Sequence, residues 1–303
     1  MKTIHIKDND HELIPEPLCA AIGNFDGVHL GHQKLIEECK RHGYKSAVLT
    51  FYPHPSVFLK KIPDYKLITP IQHKADLFSR MGIDYLIIFE FNEDIAKLSK
   101  ETFILWMKRL NIKSCVCGYD FTFARKAEGT ILDLAKEFEF YEVKKYIFDD
   151  VRVSSTYIRE LLSLGNISKV NRMLGRTFSI RGNVIYGTQN GRLIGFPTAN
   201  VDYKNYYIPA NGVYFVTVEI NHIFYYGMCN IGNNPTFNYS FERKLEVNIF
   251  GLDADIYTMQ VEVFFHERIR PEVAFSSKKE LIEQLKKDRS QCYQLSSNMN
   301  FTK

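Results

Sequence analysis

The chain changes texture near Gly175, and that change constrains its fold more than any single residue does. Before it, strand-like and helix-like segments alternate. Apolar runs at 18–22, 46–51, 85–91, 113–118 and 143–148 are separated by helical patterns at 33–41, 71–81, 100–110 and 131–137. In the third helical pattern Phe103, Trp106 and Leu110 recur at the i, i+3, i+7 spacing of one buried face. Strands separated by helices of this length imply parallel βαβ units and a doubly wound sheet. Ser154-Ser155-Thr156 then offers a helix N-cap, with helical patterns to about Leu162 and from Ile167 to Leu174. After Gly175 the segments 179–186, 213–220, 223–230, 245–252 and 259–266 are short and rich in β-branched and aromatic residues. Val261, Val263 and Phe265 alternate with Gln260, Glu262 and Phe264, as a strand with one inward face requires. Such strands, joined by glycine-containing turns, predict an antiparallel barrel. An amphipathic helix over 276–287, with Leu281, Ile282 and Leu285 on its apolar side, closes it. The expectation is an α/β chain: a doubly wound parallel-sheet domain over 1–175, an antiparallel β-barrel domain over 176–288, and a polar, frayed tail over 289–303 that includes Asn298-Met299-Asn300.

Composition narrows the function classes. A chain of 303 residues with 45% hydrophobic and 24% charged residues can bury a core in each of two domains. The net charge of +4 is too small, and the basic residues too scattered, to imply a nucleic-acid partner. Cysteines 19, 39, 115, 117, 229 and 292 show neither Cys-x-x-Cys pairs nor zinc-type spacing and read as reduced thiols. No apolar run is long enough to span a bilayer, and Met1-Lys2 is not followed by an apolar signal core. The expected compartment is the cytoplasm, with no membrane partner.

The run Gly23-Asn24-Phe25-Asp26-Gly27-Val28-His29-Leu30-Gly31-His32 sits where the first strand meets a helix. Its glycines let an anion approach the backbone, and the N–H groups of a helix start attract one. His29 and His32 fit a phosphate-binding pair, a metal pair without an evident third ligand, or a satisfied structural pair. Asn24, Asp26 and three glycines within ten residues favour transfer of a nucleotidyl group from ATP. That chemistry needs charge stabilisation and in-line alignment at the α-phosphate more than a covalent intermediate.

The run Gly23 to His32 resembles the nucleotide-binding motif of the bacterial bifunctional riboflavin kinase/FMN adenylyltransferases, members of the HxGH nucleotidyltransferase superfamily. Thr50-Phe51-Tyr52-Pro53-His54-Pro55, Gly118-Tyr119-Asp120-Phe121-Thr122-Phe123 and Ser154-Ser155-Thr156-Tyr157-Ile158-Arg159 resemble the same family, in order. So do the segments 182–187, 191–200 and 230–237 and the pair Arg270-Pro271, so that the resemblance covers nearly the whole chain apart from the tail. It implies that His29 and His32 contact ATP phosphates, and that Gly23, Asn24, Phe25, Asp26, Gly31 and Asp120 form the nucleotide and flavin pocket. Ser155, Thr156 and Arg159 would add hydroxyls and a guanidinium for phosphate. In the second half there is no Walker P-loop. The resemblance implies instead that Thr198 and Asn200 hold Mg²⁺, the expected cofactor, across the ATP phosphates. Gly182, Gly187, Gly195 and Pro197 would shape that site, and Glu246 would be the base that takes the proton of the riboflavin 5′-hydroxyl. The implied substrates are riboflavin, FMN and ATP. Read alone, Ser154–Thr156 is a helix cap, Thr198 a turn residue and Glu246 an outward polar residue, while Asp120 is balanced between turn and ligand.

Five positions depart from the family pattern. Ala124 stands where the family usually has glycine, and an alanine does not adopt positive φ cheaply. Asn248, Gly251 and Ala254 replace members of a His-x-Phe-Asp pattern and the glycine after it, and Tyr186 stands where histidine is frequent. Two alternatives follow: a riboflavin kinase with weak or absent adenylyltransferase activity, and a non-catalytic flavin-sensing regulator. Retention of His29, His32, Thr198, Asn200 and Glu246 favours chemistry at both sites.

Overall fold

The computed structural model describes residues 1–7, 14–187, 189, 191–233 and 243–297. Residues 234–237 of one family-like segment, and Asn298, Met299 and Asn300 of the expected tail, lie outside them. Two compact units result, Met1–Ser155 and Thr156–Lys303.

The first unit is a six-stranded, all-parallel sheet. Its spatial order is Lys2–Ile6, Tyr85–Glu90, Lys45–Tyr52, Leu18–Ile22, Ile112–Gly118 and Glu139–Val143. The strand Leu18–Ile22 is buried at every position, as a strand covered on both faces must be. Helices pack on each side. On one face Ala20, Leu49, Ile87 and Phe89 meet Phe103 and Met107. On the other, Ala21, Val48 and Leu86 meet Leu35, Ile36 and Phe78 of Leu30–Cys39 and Ile71–Arg80. The sheet is therefore doubly wound. Its strand order reverses between Leu18–Ile22 and Ile112–Gly118, which makes the carboxyl ends of these two strands the topological switch point, where such sheets bind ligands.

Two edges differ from the sequence reading. The strand expected over 143–148 is instead Glu139–Val143, and Ile147–Phe148 pairs with Val151–Arg152 in a short antiparallel hairpin. The true strand is an edge with half-buried and exposed positions, so it lacks the apolar run that marks a buried strand. The opposite edge, Lys2–Ile6, buries only Ile4 and Ile6 and was hidden for the same reason.

The second unit is a closed antiparallel barrel. Round it run Phe178–Ile185, Ala199–Val201, Arg243–Ile249, Ile223–Asn233, Gly212–Ile220 and Gln260–Arg270. The helix Ile167–Leu174 ends at Gly175, whose φ of 66° makes a left-handed cap. It packs on the barrel, because Asn171 donates to the Phe265 carbonyl at 2.9 Å and accepts the Phe178 N–H at 2.7 Å. The two compact units meet at Ser155/Thr156, so that this helix belongs to the barrel unit. The closing helix runs Lys278–Ser297, well past Lys287. Residues 289–297, read as a frayed tail, are its last turns, because Cys292 and Leu295 continue the apolar contact of Ile282 and Leu285 with Phe215 and Met228. Between them Asp288 is 1% exposed and accepts Arg270 through both oxygens at 2.9–3.0 Å. Among the described residues no helix is long and apolar enough to cross a membrane.

Candidate active sites

In the first unit the strand Leu18–Ile22 delivers Gly23, whose N–H bonds to Leu49 O at 3.1 Å. The chain then turns sharply, with φ of 51° at Phe25, 87° at Gly27 and 43° at Val28. His29 is the extended N-cap of the helix Leu30–Cys39. Its Nδ1 accepts the N–H of His32 at 3.3 Å, and the two imidazoles stack with centroids 3.6 Å apart. A Cβ on Gly31 would stand 3.2 Å from the His29 ring, a tight contact that glycine avoids. The pair lies at the switch point, at a helix N-terminus, where the sequence put it.

The residues around the pair divide by direction. Phe25 is fully buried against His32 and Phe78, at 5.2 and 5.6 Å between centroids. Asp26 is 2% exposed, and its Oδ1 accepts the N–H groups of Ile68 and Thr69 at 2.9 and 3.2 Å. These two side chains hold the turn from beneath, while Asn24 is exposed. Ser155 donates to the Asp26 carbonyl at 2.7 Å. Thr156 and Arg159 belong to the second unit, where the Arg159 guanidinium lies 4.8 Å over the Tyr207 ring. Asp120 follows Ile112–Gly118, the other strand of the switch point, and accepts Arg152 at 2.5 Å; Arg152 also lies 5.1 Å over the Tyr119 ring. Sequence reasoning missed Arg152, because the hairpin that carries it has no motif. Ala124 adopts φ 64°, ψ −174°, the conformation that a glycine would hold without strain.

In the second unit the pleat organises the site. Ala199 pairs with Val247 and Asn200 with Glu246 across adjacent antiparallel strands, so each pair shares a face. Ala199 and Val247 line a pocket with Thr198, Arg192, Asp255 and Tyr257. Asn200 and Glu246 therefore occupy the opposite face of the same two strands. Asn230 joins them as the partner of Glu246 on the next strand. Thr198, immediately before the strand Ala199–Val201, also lines the pocket.

Close packing holds this segment in place. Gly195, at φ 78°, ends the single turn Arg192–Ile194. A Cβ on Gly187 would overlap the Asn200 amide, and one on Gly182 would overlap the Asp202 carbonyl. Asn248 is buried, and its amide donates to Pro197 O at 2.6 Å, which ties the Glu246 strand to the Pro197-Thr198 segment. Burial pushes the Glu246 carboxyl above its ordinary pKa, and Lys244 offsets part of that rise. At the pocket mouth Tyr186 stacks on Tyr257 with centroids 4.1 Å apart, and Arg192 lies 6.0 Å over the Tyr257 ring. Arg192 was legible in the family-like segment 191–200, whereas Asp255 and Tyr257 lie in a turn-rich segment outside any such motif.

Comparison with known proteins agrees with both halves. Residues 11–157 match the FAD synthetase family model, and residues 174–296 match the riboflavin kinase family model. The bifunctional riboflavin kinase/FMN adenylyltransferase of Bacillus subtilis (strain 168) is 40% identical over 99% of both chains. That of Escherichia coli (strain K12) is 33% identical over 95% of this chain and 96% of its own. A crystal structure described as a macrolide-efflux protein from Streptococcus pneumoniae superposes with a TM-score of 0.88 at 34% identity, over 95% of this chain and 97% of that one. With both family models and full-length relatives in register, the chain belongs to the bifunctional riboflavin kinase/FMN adenylyltransferase family.

Proposed function

We propose that the two units run successive ATP-dependent reactions on one flavin, with the residues above in defined roles. In the barrel unit the riboflavin 5′-hydroxyl attacks the γ-phosphorus of ATP, Glu246 takes the hydroxyl proton, and ADP leaves as FMN forms. In the α/β unit an FMN phosphate oxygen attacks the α-phosphorus of a second ATP. FAD forms and pyrophosphate leaves, with His29 and His32 countering the charge that builds on the leaving group.

The observation that carries this reading is the two-faced strand pair. ATP in the pocket and riboflavin against Glu246 would meet at the strand end that Thr198 occupies. The raised pKa of Glu246 supports its role, since a general base works best with a pKa near the working pH. Thr198 Oγ1 and the Asn200 amide oxygen are hard donors that suit Mg²⁺. Bound there, the ion would neutralise charge on the transferred phosphoryl group. On the other unit, Asn24 on the open side of the turn and Asp120 across the switch point would bound the flavin and nucleotide. All six cysteines are free, buried thiols, which supports a reducing, cytoplasmic setting.

The test is chromatography of products from purified protein with riboflavin, ATP and Mg²⁺. FMN should appear first and FAD after it. FMN that accumulates without FAD, even when FMN is supplied directly, would refute the second reaction. Flavin binding with neither product would refute both.

A further inference from the structure

The turn between the strand Leu18–Ile22 and its helix turns few free carbonyl oxygens toward an anion, because four of them are already bound. Asn24 O accepts Lys74 Nζ at 2.9 Å and Thr50 Oγ1 at 3.3 Å. Phe25 O accepts the Val28 N–H at 3.1 Å, Asp26 O accepts Ser155 Oγ at 2.7 Å, and Val28 O accepts Gln33 Nε2 at 3.1 Å. Carbonyl oxygens repel phosphate. A turn that has bound these four offers its N–H side to the triphosphate.

Lys74 is the exceptional donor in this set. It is 2% exposed on the helix Ile71–Arg80 and reaches under the turn to a main-chain oxygen. Lysine is almost never fully buried, and an apolar residue of the same length would cover the space without the desolvation penalty. The charged group that bears on it is the Asp26 carboxylate, itself held by the Ile68 and Thr69 N–H groups. We propose that Lys74 is a positioning residue for adenylyl transfer: it holds the Asn24 carbonyl inward and sets a positive charge beneath the turn that receives the ATP phosphates.

This inference rests on reading the first unit as the FMN adenylyltransferase. Burial lowers the Lys74 pKa to about 8, against the opposing pull of Asp26. The residue is therefore charged at neutral pH and loses its charge as the pH passes about 8. The barrel unit carries the other reaction of the same chain and serves as the internal control.

The experiment measures FMN adenylylation and riboflavin phosphorylation on the same preparations of wild type, Lys74→Met and Thr50→Val. Lys74→Met should raise the ATP KM of adenylylation about tenfold, the scale of a hydrogen bond to a charged group, with a smaller change in kcat. Its riboflavin kinase kinetics should match wild type. Wild type should lose adenylylation kcat/KM above about pH 8, and Lys74→Met should lack that alkaline fall. Thr50→Val, which removes only the neutral donor, should raise the ATP KM less and keep the fall. If Lys74→Met does not fold, Thr50→Val and the wild-type profile decide between the outcomes. An unchanged ATP KM in the variants, a loss confined to kcat, or an alkaline fall that survives in Lys74→Met would overturn the proposal. Wild-type protein that makes no FAD would instead overturn the reading of the unit, and that result is visible before any variant is made.

Discussion

Ala124→Gly should stabilise the first unit, against the usual direction of a substitution to glycine. At φ 64°, ψ −174° Ala124 occupies a region that is essentially reserved for glycine, where a side chain costs about 1–3 kcal/mol. The surroundings impose the conformation. Arg125 donates its N–H to Leu98 O at 2.9 Å, and the Glu128 carboxylate accepts both the Lys100 N–H and Arg125 Nε at 3.1 Å. Replacement by glycine removes roughly 2 kcal/mol of strain. Against this stand about 0.7 kcal/mol for the greater freedom of glycine in the unfolded chain and about 0.4 kcal/mol for a half-buried methyl group. The net gain is about 1 kcal/mol, or about 2–4 °C in Tm for a unit of this size. Differential scanning calorimetry of the full chain, with FMN or ATP titrated in to identify the transition of each unit, measures it. A first-unit Tm at or below that of wild type would refute the strain argument.

Three further outcomes follow from the barrel unit. Glu246→Gln should lower FMN formation about 10²- to 10⁴-fold while FMN adenylylation persists. Because burial raises the Glu246 pKa, the acid limb of wild-type kinase kcat/KM should lie above the ordinary glutamate value of about 4.3, and the variant should lose that limb. Asn248→Ala breaks the 2.6 Å bond to Pro197 O and should raise the kinase KM for ATP, whereas Asn248→His, which keeps a ring N–H donor, should recover most of it; steady-state kinetics on both variants decides. Asp288→Ala leaves the Arg270 guanidinium without its buried carboxylate and should cost about 3–5 kcal/mol in urea unfolding of the barrel unit, with the first unit unaffected.

What was legible in the sequence followed how deeply each element is buried. The strand Leu18–Ile22 and the helix Lys100–Arg109 carry unbroken apolar signals because they are enclosed or half-enclosed by the core. The edge strands Lys2–Ile6 and Glu139–Val143 do not, since solvent on one side permits charge at alternate positions. The closing helix vanished at Lys287 because the next residues are polar; the buried pairing of Asp288 with Arg270 cancels that polarity only in three dimensions. The site residues show the same split. The His29/Gly31/His32 motif is local and could be read directly. The opposition of Asn200 to Glu246 depends on strand register between distant segments, and no spacing encodes it. Lys74 reads in the sequence as one more surface lysine on a helix, and only its 2% exposure gives it away.

The two halves make different demands on carboxylates, and the structure distributes them accordingly. A hydroxyl is a poor nucleophile until its proton leaves, so phosphorylation of riboflavin calls for a base. A phosphate monoester, with a second pKa of about 6, is already anionic at neutral pH and needs none. In the first unit the motif carboxylates are spoken for: Asp26 by the N–H groups of Ile68 and Thr69, and Asp120 by Arg152. What remains there is cationic or neutral, with stacked imidazoles over a helix N-terminus and an ammonium beneath the turn. In the barrel unit burial keeps Glu246 basic on the face opposite the pocket. A buried, raised carboxylate such as Glu246 serves a reaction that must deprotonate a hydroxyl, and flavin sensing alone has no such need. That asymmetry argues for two distinct chemistries, each matched to the acidity of its own nucleophile.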